Sequence, residues 1–286
     1  MKLAMSILVR DEADIIEDNI RYHAKQGISQ FVVTDNGSSD GTREILDKLS
    51  EKFPITILDE LSHTIDSDIW VTRMAHWLTD NSDAEWVINN DADEFWVSES
   101  GSLVDDLDSV LSGTEGKIGV VHCTRFNLLP DRQAINNDQY RFFHNTYKVN
   151  KDLEADFFTD NLNVLLTRQG TKVICRLQGL DSINVGNHDA IHNLDSTTSQ
   201  NITIAHYPLR SYDQFVKKVT NHGSSILQND RFGEGINWHL RRWYEQLQAG
   251  HLYDEYLKYV VSDETRDQLI DREVISVERS MEKYFT

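Results

Sequence analysis

Apolar residues in the first third of the chain form short runs that alternate with stretches of helical periodicity. The apolar runs predict four strands, at residues 3–9, 31–33, 55–58 and 86–89. Helical spacing and helix start signals predict three helices between them, at residues 15–24, 42–49 and 68–78. Strands that alternate with helices form parallel sheets with right-handed crossovers. The pattern therefore predicts an α/β fold with one nucleotide-binding half of a doubly wound sheet.

The remaining chain continues this pattern and then becomes helical. A helix is predicted at residues 103–111, and strands at residues 118–123, 172–176 and 202–205. Residues 124–160 have no clear period and receive no assignment. We expect a single Rossmann-like, mostly parallel sheet flanked by helices in residues 1–210. A helical C-terminal extension, residues 211–286, is expected to pack on it, and its aromatic residues are expected to serve mainly as core.

Net charge limits the classes of partner. The 286 residues contain 28 Lys and Arg against 47 Asp and Glu, a formal net charge of -19, which repels nucleic acid. An acidic protein needs a cation to bridge it to a phosphorylated ligand. No apolar run is long enough for a membrane span or a signal peptide, so we expect a cytoplasmic protein, with peripheral membrane contact left open. Cys123 and Cys175 lie in apolar runs and are expected to be free buried thiols.

Acidic residues follow three of the predicted strands. Glu12 comes after the first strand, Asp35 after the second, and Asp91, Asp93 and Glu94 after the fourth. Ligands of open α/β sheets bind beyond the carboxyl ends of the strands, and carboxylate oxygens suit Mg²⁺, Mn²⁺ or Ca²⁺. The alternatives are a solvated acidic turn for the last group and a turn-forming role for Asp35. The chain lacks a glycine-rich dinucleotide motif and a P-loop, which argues against oxidoreductases and P-loop enzymes.

Four motifs, in order along residues 3–220, together resemble a bacterial family 2 glycosyltransferase of the GT-A fold. The first three are Val-Arg-Asp-Glu-Ala-Asp, Asp-Asn-Gly-Ser-Ser-Asp-Gly-Thr and Asn-Asp-Ala-Asp-Glu-Phe. The fourth comprises a Gly-Asn-His sequence and a later His-Tyr-Pro-Leu-Arg-Ser-Tyr-Asp-Gln-Phe. This last part resembles a subgroup that is also similar to family 92.

The resemblance implies a divalent metal, Mn²⁺ or Mg²⁺, on the diphosphate of a nucleotide sugar, with a UDP-sugar expected. Asp93 is then the expected direct ligand, Asp91 contacts the ribose or the metal through water, and His206 is expected as a further metal ligand. Without the resemblance, His206 would be interpreted as a core histidine. The base and ribose of the nucleotide are expected at Asp35 and Glu12, together with the backbone near Val9 and Arg10.

The expected reaction displaces a nucleoside diphosphate from the anomeric carbon with inversion. Negative charge builds on the leaving phosphate, and Lys172 or Arg176 is a candidate to help a bound cation stabilise it. A general base must take the proton of the acceptor hydroxyl. By resemblance, His188 or Asp189 is ranked first as this base. Further candidates are Glu94, for which a structural role is equally expected, and the two acids Asp156 and Asp160.

The predicted function is thus a metal-dependent inverting glycosyltransferase that acts on a glycan or another hydroxyl acceptor, in surface glycan synthesis by resemblance. One alternative is a sugar-phosphate nucleotidyltransferase, although residues 10–14 lack the glycine-rich basic loop usual in those enzymes. The other is a non-catalytic carbohydrate-binding protein on the same scaffold. It predicts glycan binding that chelators do not affect and no release of nucleoside diphosphate.

Overall fold

The structure is a computed structural model that describes residues 1–62, 66–135, 137–152, 165–167, 169–227 and 238–285, the side chains of residues 224–227 and 238 excepted. The chain divides into two compact units. The first comprises Met1–Ser62, Asp66–Arg125 and Gly170–Ala205. The second draws its described residues from Phe126–Gln169 and His206–Thr286. This division differs from a single boundary at residue 210, because residues after Arg125 group with the C-terminal part of the chain.

Strands and helices alternate through the first unit and into the second. The elements of the first unit up to residue 129 are β1 (Leu3–Val9), α1 (Ile16–Lys25), β2 (Gln30–Asp35), α2 (Thr42–Ser50), β3 (Ile55–Asp59), α3 (Ser67–Asn81), β4 (Trp86–Asp91), β5 (Glu94–Ser98), α4 (Leu103–Leu111) and β6 (Ile118–Leu129), whose end belongs to the second unit. Strand β7 (Tyr147–Val149) lies in the second unit. The first unit continues with β8 (Lys172–Arg176), β9 (Leu180–Ile183), β10 (Ala190–His192) and β11 (Asp195–His206), whose last residue belongs to the second unit. A short 3₁₀ helix, Val185–Asn187, lies between β9 and β10.

The sheet of the first unit has the order β3-β2-β1-β4-β8-β6. Strands β3, β2, β1 and β4 are parallel, and β8 and β6 continue the sheet in the antiparallel direction. Strands β9 and β10 form a separate hairpin. The predicted α/β class, the four parallel strands and the helices between them are all confirmed.

Strand β1 lies in the middle of the parallel part, between β2 and β4. Such a strand is covered on both faces, which explains why its sequence is apolar on both sides instead of alternating, with Ser6 as its one polar residue. Leu3, Met5 and Ile7 have no exposed surface. Burying each of these side chains contributes on the order of 1.5–3 kcal/mol. Disruption of this strand would therefore unfold the sheet whose edge carries the acidic residues.

Strand β5 was not predicted as a strand. Its sequence begins with Glu94, which was considered as part of an acidic motif and as a candidate base or structural residue, and Glu94, Phe95 and Trp96 are all fully buried. The chain reverses between Asp91 and Glu94, and β5 then pairs with β11. The acidic motif is therefore a tight turn between two strands, with Asp93 and Glu94 buried and Asp91 partly exposed, and not a fully solvated loop.

The second unit combines helices with a small strand pairing. It contains β7 (Tyr147–Val149), α5 (Tyr212–Leu227), α6 (Trp238–Gln248), α7 (Leu252–Leu257), α8 (Asp263–Asp271) and β12 (Ile275–Val277). Strand β7 pairs with β12 and with the end of β6, so the C-terminal region is not purely helical. The aromatic side chains of Trp243 and Tyr256 are buried in the core of this unit.

Two further expectations concern the chain as a whole. Cys123 and Cys175 are free and buried, as predicted. Among the helices in the described ranges, none is both long and apolar enough to span a bilayer.

Candidate active site

The parallel strands bring their polar ends to one edge of the sheet. Val9 of β1 lies opposite Asp35 of β2, and Leu8 lies opposite Asp91 of β4. Neighbouring strands are about 4.8 Å apart, so the ends of β2, β1 and β4 form a continuous row. This is the edge at which open α/β sheets bind ligands.

The loops after β1 and β2 are hydrogen-bonded to each other. The Asp11 carboxylate accepts a hydrogen bond from the backbone N–H of Ser39 at 2.7 Å, and the Asp11 N–H donates to Ser38 Oγ at 3.0 Å. The Glu12 N–H donates to Thr42 Oγ1 at 2.8 Å. Asp11 adopts a left-handed φ of 57°, which an aspartate tolerates better than most residues. The two loops therefore form one joined surface beside the strand ends.

Asp35 is nearly buried within this surface. Its Oδ1 atom accepts the backbone N–H of Ser38 at 3.0 Å, which is the turn-forming role considered from the sequence. Its Oδ2 atom lies 3.7 Å from the guanidinium of Arg43. Arg10 donates to the side chain of Asn36 at 3.4 Å. Asp35 and Arg10, which are candidates to bind the nucleotide, are thus held by contacts within the two loops and α2. Asp35 has both a hydrogen bond that forms the turn and an ionic contact with Arg43.

Asp91 ends β4 and is held from two sides. Its Oδ2 atom accepts from the Lys172 ammonium at 2.6 Å, and its Oδ1 atom accepts from Asn187 Nδ2 at 3.2 Å. Lys172 begins β8 and has only 1% of its side chain exposed, whereas the Asp91 side chain is 43% exposed. The carboxylate therefore faces solvent while the lysine behind it does not.

Glu94 extends this cluster into the interior. It has no exposed surface, and its Oε1 atom lies 2.6 Å from Arg125 and 3.3 Å from Lys172. Desolvation would raise the pKa of Asp91, as would the nearby Asp93. The Lys172 and Arg125 charges outweigh both effects and lower the pKa of Asp91 below its ordinary value. Asp91 is therefore ionised at neutral pH.

The metal-ligating prediction centres on Asp91 and Asp93. Asp93 is buried, with 6% exposed, and follows Asp91 by two residues in the same turn. In the described parts of the chain, no three His, Cys, Asp or Glu side chains are grouped closely enough to hold a metal by themselves. Two carboxylates nevertheless suit a hard cation that takes its other ligands from phosphate and water. Both Asp91 oxygens already accept hydrogen bonds from the protein. The assignment of Asp93 as the direct ligand stays a prediction.

His188 lies close to the same cluster. Its Nδ1 atom is 2.7 Å from the carbonyl oxygen of Thr171, which can only accept, so Nδ1 carries the proton and Nε2 holds the lone pair. Desolvation lowers the pKa of His188, and the Lys172 and Arg125 charges act in the same direction, against the Thr171 hydrogen bond. A neutral imidazole with a lone pair on Nε2 has the form that a general base requires.

A glycine places the His188 ring. Gly186 has φ 74°, a left-handed value, and a Cβ there would lie 2.8 Å from Cδ2 of His188. Any side chain at this position would strain the backbone and displace the imidazole. This explains physically why the Gly-Asn-His sequence begins with glycine.

The other candidate bases are placed differently. Asp189 is 59% exposed and lies 3.7 Å from His122 Nε2. Its carboxylate also accepts the backbone N–H of Ala190 at 2.8 Å. Glu94 pairs with two buried cations, which suits a structural role better than proton transfer. Asp156 and Asp160 lie outside the described residues.

Lys172 and Arg176 were both considered as phosphate-binding cations, and the structure separates them. Trp86, at the start of β4, lies opposite Arg176 in the antiparallel pairing of β4 with β8. Arg176 is four residues from Lys172, or about 13 Å along an extended strand. Its guanidinium donates to the Gly116 carbonyl. Arg176 is therefore at the opposite end of the strand from Asp91, and we do not include it in the site.

His206 belongs to the second unit and ends β11. Its Nδ1 atom is 2.7 Å from Asn127 Oδ1, and Asn127 Nδ2 donates to the Leu165 carbonyl at 2.9 Å. This amide orientation makes Asn127 Oδ1 the acceptor, so His206 carries its proton on Nδ1 and its lone pair on Nε2. Metal-binding histidines commonly have this type of support. The assignment of His206 as a ligand stays a prediction.

Sequence reasoning missed two residues of this cluster. Asn187 was noted only as part of the Gly-Asn-His motif, although it is buried, has φ 58° and donates a hydrogen bond to Asp91. An asparagine that follows glycine indicates a turn in the sequence. The sequence does not show its partner, Asp91, which is 96 residues away. Arg125 had no local signal, because it follows a predicted strand and its partner Glu94 belongs to another element.

Comparison with known proteins identifies the family. The model of glycosyltransferase family 92 matches residues 3–247. No curated protein sequence matches the chain. Among solved structures, the chain is similar to S. aureus TarS 1–349, with 15% sequence identity, a TM-score of 0.45, and 81% of this chain and 67% of that chain covered.

A second similar structure is glucosyl-3-phosphoglycerate synthase from Mycobacterium tuberculosis in complex with Mn²⁺, UDP-glucose and phosphoglyceric acid. It has 17% sequence identity and a TM-score of 0.30, and 44% of each chain is covered. The resemblance in the motifs pointed to family 2 and to a subgroup similar to family 92, and the matching model is that of family 92. Since that model spans most of the sequence, the chain belongs to glycosyltransferase family 92.

Proposed function

We propose that this glycosyltransferase transfers a sugar from a UDP-sugar to a hydroxyl acceptor, with inversion and with the help of Mn²⁺ or Mg²⁺. The observation that carries the proposal is the turn after β4. There the ionised Asp91 is held between Lys172 and Asn187, next to the buried Asp93. This turn lies at the same sheet edge as Asp35, where the nucleotide is expected.

The charges around the turn support a cation. Asp91 and Glu94 pair with two cations, Lys172 and Arg125, and Asp93 lies in the same turn. Three carboxylates against two cations give this group of five residues a formal charge of −1. A diphosphate would be repelled by the cluster as it stands. A divalent cation would reverse the sign of the local charge and would stabilise the negative charge that develops on the leaving diphosphate.

The protein groups have separate roles in this proposal. Asp93 is the direct ligand, and Lys172 with Asn187 fixes Asp91, which contacts the ribose or a metal-bound water. His206 is the further ligand that the sequence resemblance implies. Asp91, which is ionised and already hydrogen-bonded, needs no proton loss or rearrangement before the donor binds, which lowers the free-energy cost of binding.

The nucleotide is proposed to bind on the joined loops after β1 and β2. Asp35 and Glu12, with the backbone at Val9 and Arg10, present hydrogen-bonding groups to the base and ribose. The hydrogen bonds between the two loops hold this surface in place before the ligand arrives. Because the loops are already ordered, little of the binding free energy is lost in ordering them.

His188 is the proposed general base. Its Nε2 lone pair accepts the proton of the acceptor hydroxyl as the oxygen attacks the anomeric carbon, and the nucleoside diphosphate leaves from the opposite face. Direct displacement of this kind inverts the anomeric configuration. The Thr171 carbonyl keeps the imidazole in the required tautomer and stabilises the imidazolium that forms. Surface glycan synthesis, implied by the resemblance, is the proposed setting.

The test begins with binding. Thermal midpoints are measured with UDP, GDP, CDP and dTDP, each with Mn²⁺ and with EDTA. A ligand at 100 times its Kd stabilises the fold by about 2.7 kcal/mol. We expect UDP to raise the midpoint with Mn²⁺ and not with EDTA. Release of UDP from UDP-sugars is then followed by chromatography.

Asp93→Asn tests the ligand assignment. We expect it to reduce UDP release by at least about 100-fold, or roughly 2.7 kcal/mol of transition-state stabilisation. Asp106→Asn is the matched control, since Asp106 is an equally buried aspartate that accepts a hydrogen bond from Ser98 away from the sheet edge. If Asp93→Asn keeps full Mn²⁺-stimulated activity, the ligand assignment is refuted. Glycan binding that is unaffected by EDTA, without release of UDP from any donor, would favour the carbohydrate-binding alternative.

A further inference from the structure

The buried face of α1 carries polar side chains. Asn19 and His23 lie four residues apart, on the same face as Ile16 and Ile20, and none of the four side chains has exposed surface. Burial of an amide and an imidazole costs free energy unless all their polar atoms are hydrogen-bonded. Their partners therefore indicate what this face of the helix supports.

The Asn19 amide holds the turn that contains Asp93. Its Nδ2 atom donates to the carbonyl oxygens of Ala92 and Glu94, both at 2.9 Å, which are the residues on either side of Asp93. Its Oδ1 atom accepts from Asn90 Nδ2 at 3.2 Å. One side chain of α1 thus contacts the end of β4, the turn and the start of β5.

His23 and Trp96 close the network. The Nδ1 atom of His23 lies 2.9 Å from both Asn19 Oδ1 and the Asn19 carbonyl oxygen, so Nδ1 carries the proton. Its Nε2 atom accepts the backbone N–H of Trp96 at 3.1 Å. The Trp96 indole N–H donates to Asn90 Oδ1 at 2.9 Å. All four hydrogen-bonding positions of the Asn19 amide are used, and each partner fixes the orientation of the next.

We propose that Asn19, supported by His23, Asn90 and Trp96, is a positioning residue that fixes the backbone on both sides of Asp93 for binding of the divalent cation and the donor diphosphate. This inference rests on the proposed function. Rotation of the peptide group between Ala92 and Asp93, whose carbonyl oxygen Asn19 holds, would swing the Asp93 carboxylate, and the bond to the Glu94 carbonyl fixes the backbone that follows. Partners that orient a metal ligand typically contribute about 10- to 100-fold to metal affinity.

The test compares two buried asparagines with the same local arrangement. Asn145 in the second unit is also buried, and its Nδ2 atom donates to two backbone carbonyls, those of Leu128 and Leu209. Asn19→Leu removes four side-chain hydrogen bonds. Asn145→Leu removes three, because Asn145 Oδ1 also accepts from the Tyr140 hydroxyl at 2.9 Å, so we expect comparable losses of thermal stability. Mn²⁺ binding in the presence of UDP is measured from the electron paramagnetic resonance signal of free Mn²⁺, well below the thermal midpoint of each variant.

We expect Asn19→Leu to weaken Mn²⁺ binding about 10- to 100-fold, while Asn145→Leu stays within about twofold of the unmodified protein. Equal Mn²⁺ affinities in both variants would refute the positioning role and leave the proposed function intact. Absence of UDP-dependent Mn²⁺ binding in the unmodified protein would refute both. If Asn19→Leu does not fold, Trp96→Phe, which removes the indole donor to Asn90, is measured in its place with the same expected direction.

Discussion

Replacement of Lys172 by methionine should destabilise the first unit strongly. The substitution keeps the length of the unbranched apolar stem and removes the ammonium group, which lies 3.3 Å from the fully buried Glu94 and 2.6 Å from Asp91. Removal of one partner of a buried ion pair costs about 3–5 kcal/mol, because it leaves an uncompensated charge in the interior. Glu94 keeps Arg125 at 2.6 Å, and Asp91 is partly solvated. We therefore expect the free energy of unfolding to fall by about 3 kcal/mol, the lower end of this range.

Calorimetric melting tests this value. A loss of 3 kcal/mol in the free energy of unfolding corresponds to a decrease of roughly 6–12 °C in the thermal midpoint for a unit of this size. Lys258→Met is the matched control. Lys258 lies 2.9 Å from the buried Glu255, which also keeps an arginine, Arg242, but the Lys258 side chain is 45% exposed. An exposed lysine contributes at most about 1 kcal/mol. If Lys172→Met lowers the free energy of unfolding by no more than Lys258→Met does, Lys172 does not stabilise the buried cluster and the reasoning is refuted.

Two further predictions concern histidines. His188→Ala should lower kcat by about 10²- to 10⁴-fold, whereas Asp189→Asn should change kcat by less than about tenfold. Both are measured as steady-state rates. A larger loss of kcat in Asp189→Asn than in His188→Ala would assign the general base to Asp189. Burial lowers the pKa of His23 to about 3, against the opposing effect of the hydrogen bond that His23 donates to the Asn19 carbonyl oxygen. The contribution of the neutral imidazole to stability is therefore fully present above pH 6.5. That stability decreases as the pH falls from 6.5 towards 3, by about 2 kcal/mol between pH 6.5 and 5. Guanidinium unfolding of His23→Gln should show a flatter pH dependence over this range, and an unchanged slope would contradict the assigned pKa.

The sequence determined the parallel half of the sheet because its signals are local. A continuous apolar run such as residues 3–9 requires burial on both faces, and helices must connect strands that run in parallel. Once the strands are parallel, the residues that follow them meet at one edge. The grouping of Asp35 and Asp91 therefore follows from the alternation of strands and helices alone.

Tertiary structure decided which side chains contact these acids. Lys172 and Arg176 are equivalent in the sequence, as cations at the two ends of one apolar run, and only the antiparallel register of β8 against β4 places Lys172 at the carboxyl end of β4. Arg125 and Asn187 reach the cluster through pairings 31 and 96 residues long. Such pairings depend on packing and on strand register, which no local pattern specifies.

The polar residues of α1 illustrate the same limit. Asn19 and His23 have helical spacing, but a polar residue on a helix is ordinarily assigned to the solvent face. Their burial is stable only because the turn between β4 and β5 presents carbonyl groups and an N–H at the right positions. The sequence by itself determined the α/β fold and the acidic edge of the sheet. The long-range hydrogen bonds that orient this edge exist only once the chain has folded, because each joins groups that are far apart in sequence.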